Sequence, residues 1–197
     1  AYNESLTIVE NARALLSLYY PDFEVVIIND GSKDETLSKL IEEYDLELSD
    51  HFFEYKIPTQ DIRGVYKSRI KSVSKLTVID KSNGGKADSL NAGINLAKGE
   101  LFVAIDVDSI IESDALLKMV KPYLEQTDEK VIAVGGVIRV VNDCIIEGGQ
   151  IAQINLPKKF LPRVQVLEYT RSFLMGRMAW SKLDGLLLIS GALGLFD

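Results

Sequence analysis

The sequence contains almost none of two residue types from which many catalytic and metal sites are built. Cys144 is the single cysteine and His51 the single histidine in 197 residues. A disulfide framework and a zinc site made of cysteine and histidine are therefore excluded, and a Ser-His-Asp catalytic site is disfavoured. The lone cysteine is compatible with a reducing compartment.

Long apolar runs and an excess of positive charge are lacking as well. No run of 18 or more apolar residues occurs, so the sequence predicts no membrane-spanning helix, and no secretory signal pattern is present. The net charge of −7 disfavours nucleic acid as a main partner, because a phosphate backbone binds to a basic face. With 47% hydrophobic and 26% charged residues, the composition is that of a folded domain with a core.

The order of strand, polar turn and helix recurs at least three times along the chain. Apolar runs predict strands at residues 23–28, 76–80 and 101–106, and helical periodicity predicts helices at 4–19, 34–44, 86–97 and 113–124. This order is typical of a mostly parallel sheet with helices on both faces, joined by right-handed crossovers. The predicted fold class is therefore α/β, in one domain that spans residues 1–197.

The remaining segments follow less regular patterns. Further strands are predicted at 51–55, 131–141 and 186–189, and a helix at 165–180 is predicted to pack across one sheet edge. Residues 57–74 have no clear period and carry the basic residues Arg63, Lys67, Arg69 and Lys71. We interpret this basic segment as an inserted, solvated loop.

The central apolar run, residues 101–105, continues directly into Asp106-Val107-Asp108. A buried parallel strand there would present two carboxylates at its C-terminal end, which is the edge where open α/β sheets bind ligands. Two carboxylates at that position suit a hard divalent cation that also holds phosphate oxygens. The alternative is an Asp pair that only starts the next loop and caps a helix at Ser109 or Ser113.

Two other predicted strands end in polar turns, Asn29-Asp30-Gly31-Ser32 and Asn83-Gly84-Gly85-Lys86. In a parallel sheet both turns would lie on the same edge as the Asp pair. Asp30 either accepts hydrogen bonds from a base or ribose, or closes an Asx turn before a glycine of positive φ. The Gly-Gly-Lys sequence allows close approach to an anion, but it is not a P-loop, because Asp80 and Ala87 stand where that pattern needs Gly and Ser or Thr.

These motifs, together with Ala1-Tyr2-Asn3-Glu4 and Ser190-Gly191-Ala192, stand in the order found in family 2 glycosyltransferases. The chain resembles the processive members, which include cellulose, chitin, hyaluronan and poly-N-acetylglucosamine synthases. The resemblance implies a GT-A, Rossmann-like fold that binds a nucleotide sugar, usually a UDP-sugar, and inverts the anomeric centre. It also implies a saccharide or lipid-linked acceptor.

The resemblance also implies a role for each matching residue. The nucleotide-binding set comprises Ala1, Tyr2, Asn3, Glu4, Asp30, Gly85, Lys86 and Asp106, in which Asp30 hydrogen-bonds the uracil and Lys86 lies near the diphosphate. Asp108, together with Asp106, would bind Mg²⁺ or Mn²⁺ on that diphosphate. The acceptor side would be lined by Ser190, Gly191 and Ala192.

Two departures from the family pattern affect what is expected of the chain. Asn29 stands where the family usually has a first Asp. The family's catalytic base lies in a motif that would follow Asp197, and its first strand would precede Ala1. We therefore expect a fragment truncated at both ends, soluble and inactive by itself, from a parent protein at the cytoplasmic side of the membrane. Any membrane contact is expected through other parts of that parent.

Other functions remain open from the residues alone. A polyprenyl-phosphate sugar transferase or a nucleotidyltransferase of similar fold would carry the same strand-end groups. Among non-enzymes, a nucleotide-binding fragment or a receiver-like signalling domain also places carboxylates at strand ends, although a receiver has only about 120 residues. If the catalytic base lies within these residues, Asp88 and Asp184 are the first candidates.

Overall fold

The computed structural model describes residues 1–50, 55–147 and 150–197. In chain order its helices and strands are α1 (Ile8–Leu16), β1 (Val25–Asp30), α2 (Thr36–Glu43), β2 (Leu46–Leu48), β3 (Ile62–Ser68), β4 (Leu76–Lys81), α3 (Gly85–Leu96), β5 (Phe102–Ile105), α4 (Ala115–Glu125), β6 (Ala133–Gly135), β7 (Ile145–Glu147), β8 (Gln150–Gln153), α5 (Phe160–Thr170), a π-helical stretch (Arg171–Arg177), α6 (Met178–Lys182) and β9 (Leu193–Phe196). A short 3₁₀ turn, Lys71–Val73, precedes β4. This order of elements confirms the predicted α/β class.

The first sheet has the strand order β1-β4-β3-β2. Strands β1 and β4 are parallel and in register from Val25 opposite Leu76 to Asp30 opposite Lys81. The ladders of β3 with β4 and of β2 with β3 are antiparallel, so the sheet is mixed. The parallel pair brings the ends of β1 and β4 to the same edge, as the sequence predicts.

Alternation along β1 separates the two faces of this sheet. Val25 and Ile27 belong to a core that includes Ile8 of α1 and Leu40 of α2. Val26 and Ile28 point the other way and pack against a core that contains Ala92 of α3. Because successive side chains of a strand face opposite sides, one apolar strand anchors helices on both faces, and this arrangement confirms the prediction.

The second sheet, of order β5-β9-β6, is antiparallel and differs from expectation. The central strand was expected to be parallel and buried, but its partner β9 runs antiparallel to it and only Ala104 of β5 is buried. The prediction of a strand at 186–189 is wrong, because the strand in this region is β9, Leu193–Phe196. Leu195 there packs on Met119 and Tyr123 of α4, while Leu187 is almost fully exposed.

Three other segments also depart from their predicted structure. The basic segment at 57–74 is not an irregular loop, because β3 runs through it and pairs with both β2 and β4. The strand predicted at 131–141 shrinks to β6. The helix predicted at 165–180 begins earlier, at Phe160, and instead of packing across a sheet edge it leaves most apolar side chains exposed, with Phe173 buried.

Two other segments complete the comparison between the predicted and the observed strands. The strand predicted at 51–55 falls mainly on residues 51–54, which lie outside the described residues, and the hairpin of β7 and β8 was not predicted.

In the part of the chain that the structure describes, no helix is both long enough and apolar enough to cross a membrane.

The core of the first sheet provides a direct test of the fold. Leu76 is 0% exposed at the start of β4, so Leu76→Ala should lower the free energy of unfolding by about 2–5 kcal/mol through lost burial and a residual cavity. Leu187→Ala, at a residue that is 97% exposed, is the matched control and should change stability by less than about 0.5 kcal/mol. Urea unfolding followed by circular dichroism measures both, and equal losses would contradict the assignment.

Candidate functional site

The carboxylate of Asp30 lies at the edge where β1, β4 and the start of α3 meet. It accepts four hydrogen bonds from the protein: from Lys81 Nζ at 2.6 Å, from the N–H groups of Gly84 and Gly85 at 2.9 and 2.8 Å, and from Asn83 Nδ2 at 3.1 Å. Burial alone would raise the pKa of Asp30, but the bonds from Lys81 and the two glycines outweigh burial and hold it below its ordinary value. The group is therefore a buried, ionised carboxylate at neutral pH.

This carboxylate occupies the position where a helix N-terminus would otherwise bind an external anion. The first amide groups of a helix have no partner within the helix, and they attract negative charge. Here the N–H groups of Gly84 and Gly85 already donate to Asp30. Asp30 itself is only 5% exposed, and its contact with uracil stays a prediction.

Lys81 is the cation that accompanies this carboxylate, and its side chain is 0% exposed. Besides Asp30, its ammonium group lies 2.5 Å from Asp88 Oδ1 and 2.7 Å from the carbonyl oxygen of Ser82. Asp88 Oδ2 also accepts the N–H of Gln60 at 2.9 Å, whereas Oδ1 lies within ion-pair distance of Lys81 without a hydrogen-bond partner. Asp88 is therefore not a free base in this arrangement.

A second polar cluster lies on the opposite face of the same strand ends. Asn29 Nδ2 donates to Asp80 Oδ1 at 2.7 Å, and Arg63 donates to the same oxygen at 2.6 Å. An aspartate at position 29 would place two carboxylates against each other here. The amide that departs from the family pattern is therefore matched to Asp80, which supplies the charge from the neighbouring strand.

The predicted nucleotide-side segment, residues 1–4, is held against the turn that follows β1. The carbonyl oxygen of Ala1 accepts the N–H of Asp30 at 2.9 Å. Asn3 exchanges hydrogen bonds with this turn, donating to Ser32 Oγ at 3.0 Å and accepting from the N–H of Lys33 at 2.8 Å. The N–H of Glu4 donates to Thr36 Oγ1 at 2.8 Å, and the Tyr2 side chain lies exposed beside these contacts.

Lys86 connects residues that the resemblance assigns to the donor side and to the acceptor side. Its ammonium group forms an ion pair with Asp106 and donates to the carbonyl oxygen of Gly191 at 2.6 Å. The N–H of Asp106 in turn donates to the carbonyl oxygen of Ala192 at 3.2 Å. The structure therefore brings together three groups that stand far apart in the sequence.

The metal-ligating role predicted for the Asp pair depends mainly on Asp108. Its carboxylate is exposed and has no partner among the described residues, whereas Asp106 is engaged by Lys86. Within those residues no cluster of three or more acidic, histidine or cysteine side chains could hold a metal by itself. The donor set fits a hard cation that shares its ligands between one or two carboxylates and a phosphate.

A pocket of about 290 Å³ opens beside Lys86, between α3 and the second sheet. Its walls are mainly apolar and include Leu90 and Ile94 of α3 and Phe102 and Phe196 of the sheet. The rings of Phe102 and Phe196 are stacked with their centroids 5.2 Å apart. Ser190 and Gly191, predicted to lie on the acceptor side, line its rim, and Ala192 follows directly.

Comparison with known proteins identifies the family. The model for "Glycosyl transferase family 2" matches residues 1–184. This chain belongs to glycosyl transferase family 2. A poly-beta-1,6-N-acetyl-D-glucosamine synthase of Staphylococcus epidermidis is 29% identical over 195 residues, which cover 99% of this chain and 37% of the relative. The synthase of the same name from Staphylococcus aureus strain COL is 32% identical over 148 residues, 75% of this chain and 29% of the relative.

The chain thus spans about a third of the length of the curated relatives that it matches. Their names support the resemblance to poly-N-acetylglucosamine synthases that the motifs indicate. The GT-A-type fold class agrees with the family. The polymer in these names is the product of the relatives, and it is not thereby assigned to this chain.

Sequence reasoning missed Lys81, Asp80 and Arg63 as members of this edge. The sequence pattern places Asp80 at the end of the strand predicted at 76–80, Lys81 directly after it, and Arg63 in the segment interpreted as a solvated loop. The signal that could have found them is the register of the parallel pair, which sets Asn29 beside Asp80 and Asp30 beside Lys81.

The turn after β1 carries a carboxylate whose titration should be visible in acid. Asp34 accepts hydrogen bonds from Thr36 Oγ1 at 2.5 Å and from the N–H groups of Thr36 and Ser5, each at 3.0 Å. Bonds from Thr36 lower the pKa of Asp34 from 3.8 to about 2, more than desolvation raises it. Because the folded-state pKa is lowered, its stabilising contribution is complete above about pH 3.8 and is lost as the pH falls towards 2.

Asp34→Asn keeps an oxygen acceptor but cannot titrate, so this variant should lack that part of the acid destabilisation. Urea midpoints measured at pH 5, 3.5 and 2.5 should converge for parent and variant as the pH falls. Asp128→Asn, at an exposed residue away from the turn, is the control. Parallel curves for parent and Asp34→Asn would contradict the assigned role.

Proposed function

We propose that this chain carries the donor-binding side of an inverting glycosyltransferase that uses a nucleotide sugar, with UDP-sugars as the first class to test. The acceptor is a saccharide hydroxyl. The observation that carries the proposal is the meeting of Lys86 with Asp106 and Gly191, next to the exposed carboxylate of Asp108.

Lys86 is suited to bind a diphosphate because its present ion pair is easily exchanged. Half of its side chain is exposed and Asp106 is 37% exposed, and exposed pairs of this kind are worth only about 0.2–1 kcal/mol. An incoming phosphate can therefore replace or share the contact at little cost. In that position the ammonium group stabilises the negative charge that develops on the leaving diphosphate.

The carboxylates of Asp108 and Asp106 would hold a divalent cation on the same diphosphate. When bound, such a cation supplies electrostatic stabilisation of the leaving group. We also propose that Asp106 contacts the nucleotide, and its position is held by a backbone hydrogen bond to Ala192 and by the ion pair with Lys86. Neither role involves a covalent bond to the protein.

The reaction proposed is a single displacement. The acceptor oxygen forms a bond to the anomeric carbon, the bond from that carbon to the diphosphate breaks, and a carboxylate takes the acceptor proton. Asp88 is engaged by Lys81 and Gln60, and Asp184 lies exposed in the turn after α6. The base is not assigned to either residue.

The names of the relatives narrow the sugar that is tested first. The two staphylococcal relatives are named for a polymer of N-acetyl-D-glucosamine. We propose UDP-N-acetylglucosamine as the leading donor and an oligosaccharide of the same sugar as the leading acceptor. The aromatic pocket beside Lys86 supports a saccharide on that side, because stacked rings offer an apolar surface to a sugar face.

The metal role of Asp108 can be measured without turnover. Titration of UDP in the presence of Mn²⁺ should give binding heat that EDTA weakens. Asp108→Asn should remove most of this metal dependence and leave the fold intact, because it neutralises an exposed carboxylate with no partner in the described structure.

Asp128→Asn removes a charge from another exposed position and is the matched control. It should bind UDP with Mn²⁺ as the parent does. Asp108→Asn with unchanged metal dependence would show that the Asp pair only starts the following loop. No heat with UDP, GDP or their sugars would overturn the donor site as a whole.

The stereochemical outcome tests the mechanism. With a UDP-α-sugar donor, a protein that carries this chain together with the region expected after Asp197 should form a β-linked product, detected by the anomeric coupling constant in proton NMR, and the variants below are made in that longer protein. Lys86→Met should lower kcat/KM by about 10²–10³, since it removes one preorganised charge from the leaving group. Lys121→Met, which removes an exposed lysine paired with Glu125, is the control. An α-linked product, or full activity of Lys86→Met, would contradict the proposal.

A further inference from the structure

We infer that Lys81 is a positioning residue for donor binding: as the buried centre of an Asp30–Lys81–Asp88 ion triad, it fixes the turn from which Lys86 reaches the diphosphate. This inference rests on the proposed function, and it assigns a role to a lysine that neither touches the donor nor appears in the motifs.

The Lys81 ammonium group has no access to solvent, so its charge must be balanced within the protein. It lies 2.6 Å from Asp30 Oδ1 and 2.5 Å from Asp88 Oδ1. A buried cation without a partner is strongly unfavourable, and so is a buried carboxylate without one. The three groups are therefore held together as a unit.

The turn that leads to Lys86 is clamped between the two carboxylates of this unit. On one side Asp30 accepts the N–H groups of Gly84 and Gly85. On the other side Asp88 lies so close that a Cβ on Gly84 would come within 2.6 Å of its carboxyl carbon. Gly85 takes a φ of +83°, a conformation that L residues rarely adopt.

Lys86 follows directly after this clamped pair of glycines. Its side chain is half exposed, and its contacts with Asp106 and with the carbonyl oxygen of Gly191 are both exposed, so they hold the lysine only weakly. The rigidity of the site must come from the backbone beneath it, and that backbone is held by Lys81 through Asp30 and Asp88. Lys81 thus positions a group that it does not contact.

The variant that tests this role is Lys81→Met, which keeps most of the side-chain length and removes the charge. Loss of the ammonium leaves Asp30 and Asp88 facing each other, so the turn should open. UDP binding with Mn²⁺ should weaken by about tenfold, the loss expected when one charge-assisted hydrogen bond from Lys86 is misplaced. The dissociation constant is measured by calorimetry under conditions where circular dichroism shows the variant folded.

A pH series separates positioning from general destabilisation. Two carboxylates that share a site raise the pKa of one of them, so that a single proton can bridge them. The binding of Lys81→Met relative to the parent should therefore improve from pH 8 to 5.5. The other charged groups near the triad are the Ala1 amino group and the Lys86–Asp106 pair, with Arg63 and Asp80 on the opposite face, and all of these are common to both proteins.

Two further variants keep the test decisive. Lys81→Met/Asp88→Asn removes the repulsion between the two carboxylates, so it should fold even where the single variant does not. It also lacks the cation that draws Asp30 and residue 88 together, so it should still bind more weakly than the parent, although less so than the single variant at pH 8, and without the pH effect. Leu40→Ala destabilises the core on the other face of the sheet and should leave the affinity of the folded protein unchanged.

The outcomes distinguish the two proposals. A parent protein that binds no UDP at any pH would overturn the donor site and this inference with it. A parent that binds UDP, with a folded double variant of equal affinity, would overturn the positioning role of Lys81 alone. Equal weakening by Leu40→Ala would also overturn it, because the effect would then follow from stability.

Discussion

The ion pair between Lys81 and Asp30 is the contact on which the arrangement of this sheet edge depends. Both groups are buried, and they sit at the last register position of the only parallel ladder among the described strands. Removing Lys81 would leave the buried carboxylate of Asp30 without its cation, and removing Asp30 would leave Lys81 with Asp88 alone; either change typically costs more than the pair itself contributes. The pair therefore fixes the relative position of β1, β4 and the start of α3 more strictly than apolar packing alone.

Two lysines five positions apart on this edge serve opposite purposes. Lys81 is fully buried between two carboxylates, so a ligand from solvent cannot replace its partners. Lys86 is half exposed and paired with the accessible carboxylate of Asp106, so it can exchange this partner for another anion at a low cost in free energy. Burial rather than residue type separates a structural cation from one that can bind a ligand.

The predictable part of the molecule was the part encoded locally. Strand-turn-helix periods located β1, α2, β4 and α3, because each of these elements shows its own apolar pattern. The family resemblance added the order of the motifs, and the structure does bring Lys86, Asp106 and Gly191 together.

The parts that sequence reasoning missed are those decided across strands. The glycine amides at the start of α3 were assigned to a ligand, but the anion that they bind is Asp30 of a neighbouring strand. The strand β9 was placed several residues too early, because Gly194 interrupts its apolar pattern while Leu187 and Leu188 suggest one where none forms. Register and pairing decide such cases, and a single sequence displays neither directly.

The central position of β9 in the second sheet has a consequence for how the molecule assembles. This strand lies between β5 and β6, and the loop before it brings Gly191 to Lys86, a residue 105 positions earlier. Contacts of such long sequence separation form slowly, because the chain between them must be ordered first. The Asp30–Lys81 edge closes a shorter loop of 51 residues. The edge formed by β1, β4 and the start of α3 can therefore form early in folding, and the contact between Lys86 and Gly191 beside the aromatic pocket forms only after β9 has paired.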